Sequence, residues 1–223
     1  MSLWKIKIGL RLVQVELRAT EDFHRQADAA FRTQLSALET EYQSRPSAYW
    51  NKSSELGITR GEELGERRDE IDGLLDLNEY FGVITVHAAF DHFLFRIFEY
   101  AKSQGLIKCR YYAKKPFLMF SKSVDMLKDE FAIDLRQSPF DWNRIEELTT
   151  VRNAIAHKGG WIAPDPTSEE FRKFKAYGFP STWPLELPKG YFLQSKTLVL
   201  DTCRAIARKF VKYAQQGSPR ALP

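Results

Sequence analysis

The 223-residue sequence contains little cysteine, and this limits the kinds of site that it can hold. Its two cysteines, Cys109 and Cys203, stand far apart, and neither belongs to a CxxC pair. Because a structural zinc site or a disulfide framework needs clustered cysteines, we expect neither, and we predict no metal and no cofactor. Both cysteines are interpreted as buried packing residues.

Long apolar runs are also missing. No stretch approaches the roughly 20 apolar residues that are needed to cross a bilayer. Lys5, Lys7 and Arg11 interrupt the one apolar segment near the start, which therefore does not resemble a signal peptide. The sequence predicts a soluble, cytoplasmic protein with no membrane partner.

A large excess of charge is absent as well. The net charge is +4 and the isoelectric point lies near 9.0. This mild surplus favours polyanionic partners, but a dedicated nucleic-acid binder carries a stronger one. Charge alone therefore does not identify a partner.

Strand patterns are few, and apolar residues at helical spacing predict an all-α protein. The predicted helices cover about residues 20–43, 59–102, 116–131, 139–157 and 195–215. Residues 3–12 fit either a strand or a helix, and residues 161–190, with five of the ten prolines, are predicted to form an irregular loop. We expect a mostly helical N-terminal extension with a linker over residues 1–58, followed by a bundle of four to five long helices over residues 59–223.

Three local patterns predict helix ends. Thr59 and Glu62 have the spacing of a capping box. Ser138 is expected to cap the next-to-last helix, with Pro139 at its first position. The pair at 159–160 is Gly-Gly, and glycine readily adopts the left-handed conformation that ends a helix.

An arginine interrupts the apolar face of the helix predicted over residues 139–157. At roughly 100° per residue, the apolar arc of this helix consists of Ile145, Leu148, Val151 and Ile155. Arg152 lies in the middle of that arc, and a guanidinium that stays charged needs a carboxylate, a polar cavity or an interface when it is buried. Asp91 interrupts the apolar arc of the helix over 59–102 in the same way, so we predict an ion pair between Asp91 and Arg152. His87, beside Asp91, is interpreted as a hydrogen-bonded core histidine.

Two further polar residues follow Arg152. Asn153 and His157 lie one helical turn apart, so they can converge on one point. The helix C-terminus favours a protonated His157, which suits a general acid, while the alternative role is that of a C-cap. Arg152 and His157 diverge by about 140° on an ideal helix. They meet only if the helix end unwinds or if two copies come together.

The segment RNAIAH, which contains Arg152, Asn153 and His157, resembles the motif of the HEPN superfamily. In that motif an arginine is followed directly by a polar residue and then by a histidine, at the end of a helix in an all-α bundle. The resemblance covers about residues 59–215, including the preceding helix with HAAFDHFLFRIFEY. It implies a HEPN-like helical bundle for this part of the chain.

The resemblance further implies a metal-independent endoribonuclease of a toxin–antitoxin or phage-defence system, acting as a homodimer with a shared cleft. Such cleavage uses the RNA 2′-OH as nucleophile and leaves a 2′,3′-cyclic phosphate and a 5′-OH end. His157 would then transfer protons, Arg152 would stabilise the phosphorane and Asn153 would orient the phosphate. The alternative is a non-catalytic RNA-binding or dimerisation module, in which Arg152 is kept for its contact with Asp91.

Other segments suggest binding surfaces. In KCRYYAKK, phosphate contacts and base stacking could come from Lys108, Arg110, Tyr111, Tyr112, Lys114 and Lys115. A solvated loop is the alternative for this segment. Lys158, directly after His157, is predicted to contact phosphate. The helix over residues 20–43 could dock an antitoxin protein or a membrane-proximal partner, or could pack within the chain.

Overall fold

The computed structural model describes residues 4–55, 57–107, 120–162, 164–179 and 184–216, and these residues are mostly helical. The helices are α1 (Trp4–Ser44), α2 (Ser47–Trp50), α3 (Arg60–Ser103), α4 (Phe120–Phe131), α5 (Trp142–Lys158), α6 (Glu169–Ala176) and α7 (Tyr191–Gln215). Within the described ranges no strand is present, and β pairing is limited to one isolated antiparallel bridge between Ser53 and Thr59. The prediction of an all-α protein is confirmed.

The chain divides into two compact units. The first consists of residues 1–19 and 83–223, and the second of Thr20–Gly82. Helices α1 and α3 each contribute to both units. The boundary predicted at residue 58 falls inside the second unit, because the second unit contains the end of α1 as well as the first half of α3.

The core of the first unit surrounds the C-terminal half of α3, which is apolar on nearly all sides. Its buried residues include Val83, Val86, Ala89, Phe90, Phe93, Leu94, Ile97 and Phe98. Phe131 of α4 stacks on Phe98 with 6.1 Å between ring centroids and meets Phe210 of α7 edge to face at 4.9 Å. Burying a side chain of this size stabilises the fold by about 1.5–3 kcal/mol. These contacts hold α3, α4 and α7 together around the site described below.

In the second unit, the start of α3 follows the predicted capping box. The Thr59 backbone N–H donates to Glu62 Oε2 at 2.7 Å, and the Glu62 N–H donates back to Thr59 Oγ1 at 3.2 Å. The hydrogen bonds from Thr59 hold the pKa of the Glu62 carboxyl below its usual value of 4.5. The predicted capping box is confirmed, and it explains why the helix begins directly after Thr59.

The structure decides one helix start that the sequence left open and corrects another. Residues 3–12, left open between strand and helix, belong to α1 from Trp4 onward. Helix α5 begins at Trp142 rather than at Pro139, because Asp141 is the N-cap and its side chain accepts the Arg144 N–H at 3.2 Å. A carboxylate at this position also interacts favourably with the helix dipole. At its other end α5 stops as predicted, with Gly159 left-handed at φ 60°.

The segment over residues 161–190 is not wholly irregular, because it contains α6. The Ser168 hydroxyl accepts the Phe171 N–H at 3.1 Å and caps the helix. Glu169 and Glu170 occupy the first turn, and Phe174 is fully buried. The proline content of the whole segment predicted an irregular loop. The prolines lie before and after α6 and not within it, so they do not prevent this helix.

A buried carboxylate connects α5 to α7. Arg144 Nη1 lies 3.2 Å from both carboxylate oxygens of Glu147, and the Tyr191 side chain also bonds to Glu147. Burial raises the pKa of the Glu147 carboxyl above its usual value of 4.5. Burial and the Glu147 charge likewise raise the pKa of the Tyr191 hydroxyl. The Tyr191 contact thus joins the first part of α5 to the start of α7.

Among the described residues, α3 has the length and apolar content of a membrane-spanning helix, and 56% of that apolar stretch is buried inside the protein. Buried core helices of soluble proteins have the same composition.

Candidate functional site

The site forms where α5 packs against the C-terminal half of α3. The apolar arc of α5 is buried as predicted and consists of Ile145, Leu148, Val151 and Ile155. The Arg152 side chain lies beside this arc and is 27% exposed. Its position is therefore partly desolvated, and its N–H donors need partners there.

The predicted partner of Arg152 is in place. Arg152 Nη2 donates to Asp91 Oδ2 at 3.3 Å, so the predicted contact between α5 and α3 is confirmed. The Asp91 side chain is 32% exposed, which means that water still reaches the carboxylate. An ion pair of this exposure contributes on the order of 1 kcal/mol or less to stability.

His87 is a second partner of Arg152. Its side chain is 0% exposed, and its Nδ1 accepts the Nε–H of Arg152 at 3.3 Å. The same Nδ1 lies 3.1 Å from Asp91 Oδ2, and Nε2 lies 3.3 Å from Thr149 Oγ1. The sequence predicted a hydrogen-bonded core histidine, but not this connection to the arginine. The signal was available, since His87 lies one helical turn before Asp91 and therefore on the same face of α3.

Asn153 completes the surroundings of the guanidinium. The exposed Asn153 side chain accepts a hydrogen bond from Arg152 Nη1 through Oδ1 at 2.9 Å. A guanidinium has five N–H groups, and these three partners each take one. Within the described residues, one N–H on each Nη nitrogen therefore remains for a ligand. These two groups can donate to an anion such as a phosphate.

His157 lies away from this cluster. It is exposed in the last turn of α5, and its imidazole has no hydrogen-bond or ion-pair partner within the part of the chain that the structure describes. One chain does not bring His157 to Arg152, in keeping with the 140° or so that separates their directions on a helix. The imidazole is thus open to solvent and to any molecule that binds at this end of α5.

Lys158, predicted to contact phosphate, forms an ion pair with Glu170 in the first turn of α6. Both side chains remain partly exposed. An incoming phosphate would have to compete with the Glu170 carboxylate for this ammonium group. Lys158 therefore lies next to the motif, but its ammonium group already has a carboxylate partner.

The six residues predicted for RNA binding between 108 and 115 lie outside the described residues. In the ranges that are described, no three side chains of His, Cys, Asp or Glu form a group able to hold a metal ion. Cys203 is a free, buried thiol whose pKa is raised by burial, as expected for a packing residue.

Comparison with protein-family models, with curated proteins and with solved structures gives no match for this chain.

Proposed function

We propose that this protein is a metal-independent endoribonuclease of the HEPN type, a cytoplasmic toxin or defence effector that cleaves RNA as a homodimer. The observation that carries this proposal is the arrangement at Arg152. Three neighbours contact the guanidinium, and two of its N–H groups have no partner in the part of the chain that the structure describes. An exposed histidine follows at the end of the same helix.

The proposed reaction uses the RNA 2′-OH as the nucleophile. Its oxygen bonds to the adjacent phosphorus while the bond from phosphorus to the 5′ oxygen breaks, which leaves a 2′,3′-cyclic phosphate and a 5′-OH. At each site, the His157 imidazole of the other copy donates a proton to the departing 5′ oxygen, and the 2′-OH proton passes to solvent water. The Arg152 donors stabilise the extra negative charge that the phosphorane carries.

A second copy is needed because Arg152 and His157 diverge within one chain. This requirement can be tested by complementation between Arg152→Ala and His157→Ala proteins that are unfolded and refolded together. Random pairing makes half of the molecules mixed dimers, and one of the two sites in each mixed dimer keeps both groups. We therefore expect about a quarter of wild-type activity from the mixture. No recovery above the separate variants would refute a site shared between copies.

The proposed metal-independent cleavage activity is tested by incubating the purified protein with a single-stranded RNA oligonucleotide in the presence of EDTA. We expect cleavage products with cyclic phosphate ends. The cleavage rate should fall by about 10²–10³-fold or more in Arg152→Ala and in His157→Ala. Arg204→Ala and His92→Ala are matched controls, since these side chains are exposed and lie outside the site. Equal rates for wild type and His157→Ala would exclude the proton-transfer role.

One observation favours the second candidate, a non-catalytic RNA-binding or dimerisation module. Asp91 already balances the charge of Arg152, so this contact also explains the arginine as a link between α3 and α5. In that case the protein binds RNA or forms dimers without cleaving RNA. Gel-shift and sedimentation measurements alongside the cleavage assay separate the two functions. The proposed partners in either case are RNA and a second copy, with an antitoxin protein as a further candidate.

A further inference from the structure

Two groups of Arg152 bind α3 as a pair. The Nε–H and one Nη2–H emerge on the same edge of a guanidinium, and they donate to His87 Nδ1 and Asp91 Oδ2, each at 3.3 Å. The two acceptors are 3.1 Å apart. A contact to Asp91 alone would let the guanidinium plane turn, whereas two adjacent acceptors fix the plane.

The hydrogen bonds around His87 assign its tautomer. The Thr149 hydroxyl donates to the Ile145 carbonyl at 2.9 Å, so toward His87 it accepts. Nε2 must then carry the proton, and Nδ1 presents its lone pair to the Arg152 Nε–H. A proton on Nδ1 would make that nitrogen a donor toward Asp91 Oδ2, 3.1 Å away, and would leave the Arg152 Nε–H without its acceptor.

We infer that His87, as the neutral Nε2–H tautomer, is the positioning residue of Arg152, which rests on the proposed nuclease function. Its Nδ1 lone pair holds the guanidinium so that the two remaining N–H groups face the substrate phosphate. The acceptor in this contact is a fully buried side chain, whereas the Asp91 carboxylate is 32% exposed and can exchange Arg152 for water. His87 does not touch the RNA, and its effect is transmitted through Arg152.

Two substitutions separate the two ring nitrogens. In His87→Asn, the side-chain oxygen can lie where Nδ1 lies and can still accept the Arg152 Nε–H. In His87→Gln, the longer side chain places its amide nitrogen where His87 Nε2 lies and can contact Thr149. It leaves the Arg152 Nε–H without its acceptor. We expect kcat for RNA cleavage to stay within about threefold of wild type in the Asn variant and to fall roughly tenfold or more in the Gln variant. KM should change little in both, because Arg152 acts mainly on the transition state.

Thermal unfolding of both variants is measured beside Thr202→Ala, which perturbs a buried polar residue of α7 away from the site. A purely structural role predicts that kcat follows stability in all three proteins. The positioning role predicts instead that only the Gln variant loses kcat. Equal kcat values for the Asn and Gln variants would overturn the inference.

A spectroscopic measurement on wild-type protein does not depend on activity or on variants. In protein labelled with ¹⁵N-histidine, the two ring nitrogens have distinct shifts when protonated and when not. We expect His87, assigned by the loss of its signals in His87→Asn, to show a protonated Nε2 and an unprotonated Nδ1 at neutral pH. A protonated Nδ1 would overturn the assignment. Absence of RNA cleavage together with the expected tautomer would refute the nuclease proposal but leave the contact between His87 and Arg152 standing.

Discussion

Replacing Arg152 with methionine tests how the arginine is held, separately from any activity. Methionine keeps an unbranched side chain beside the apolar arc of α5 but removes all three donated hydrogen bonds. Two of the acceptors regain water, because Asn153 is exposed and Asp91 is 32% exposed. His87 Nδ1 does not regain a water molecule in this way, since the His87 side chain is 0% exposed.

The cost of this substitution follows from that difference. A buried acceptor left without a donor costs about 1–3 kcal/mol, whereas loss of a partly exposed ion pair costs about 0.2–1 kcal/mol. We therefore expect Arg152→Met to lower the free energy of unfolding by about 1–3 kcal/mol. Asp91→Asn, which keeps an acceptor oxygen for Arg152, should lower it by less than about 1 kcal/mol.

Urea unfolding followed by far-UV circular dichroism measures both values at one fixed protein concentration, since association would shift the midpoints. Arg152→Met should show a lower midpoint than Asp91→Asn, with unchanged slopes. The reverse order would show that the carboxylate, and not the buried imidazole, holds the arginine. An unchanged midpoint for Arg152→Met would refute the description of His87 Nδ1 as a buried acceptor that depends on Arg152.

Three further predictions concern other parts of the first unit. Because the folded-state pKa of Glu147 is raised by burial, the stability that this residue contributes should be full below pH 4.5 and should be lost as the pH rises through the raised value; the difference in urea midpoint between wild type and Glu147→Gln should therefore change between pH 4 and 8. Gly159→Ala should lower stability by about 1 kcal/mol in thermal unfolding, because the position requires φ 60°, while the added Cβ would meet only ordinary contact at 3.6 Å. Glu170→Gln should free Lys158 and tighten RNA binding in a gel shift at low salt, whereas Lys158→Ala should weaken it; equal affinities would place Lys158 outside the RNA surface.

Several features were predicted correctly because each follows from a few residues whose physical requirements are visible in the sequence. Thr59 and Glu62 satisfy each other's hydrogen bonds within one turn. Gly159 adopts the left-handed conformation with little steric cost. Arg152 and Asp91 could be paired across two helices because each violates an apolar face, and such a residue needs a partner. None of these inferences required knowledge of the fold.

Other features depended on choices that the sequence leaves open. Both Ser138 and Asp141 can cap α5, and only the backbone path through the preceding turn selects Asp141. Ser168 was overlooked because the prolines around it dominated the composition of residues 161–190. The role of His87 was missed for a different reason, since a buried histidine can accept or donate at either ring nitrogen and its partners decide which.

The charge balance of the cluster also limits how the proposed site could work. Asp91 balances the charge of Arg152, and Glu170 likewise balances that of Lys158. A phosphate in the ground state therefore meets little net attraction at the site. The two outward N–H groups of Arg152 are directional, however, and they gain most when negative charge builds up on the phosphate oxygens. These two donors stabilise the transition state more than the bound substrate, so substitutions of Arg152 should appear in kcat rather than in RNA affinity.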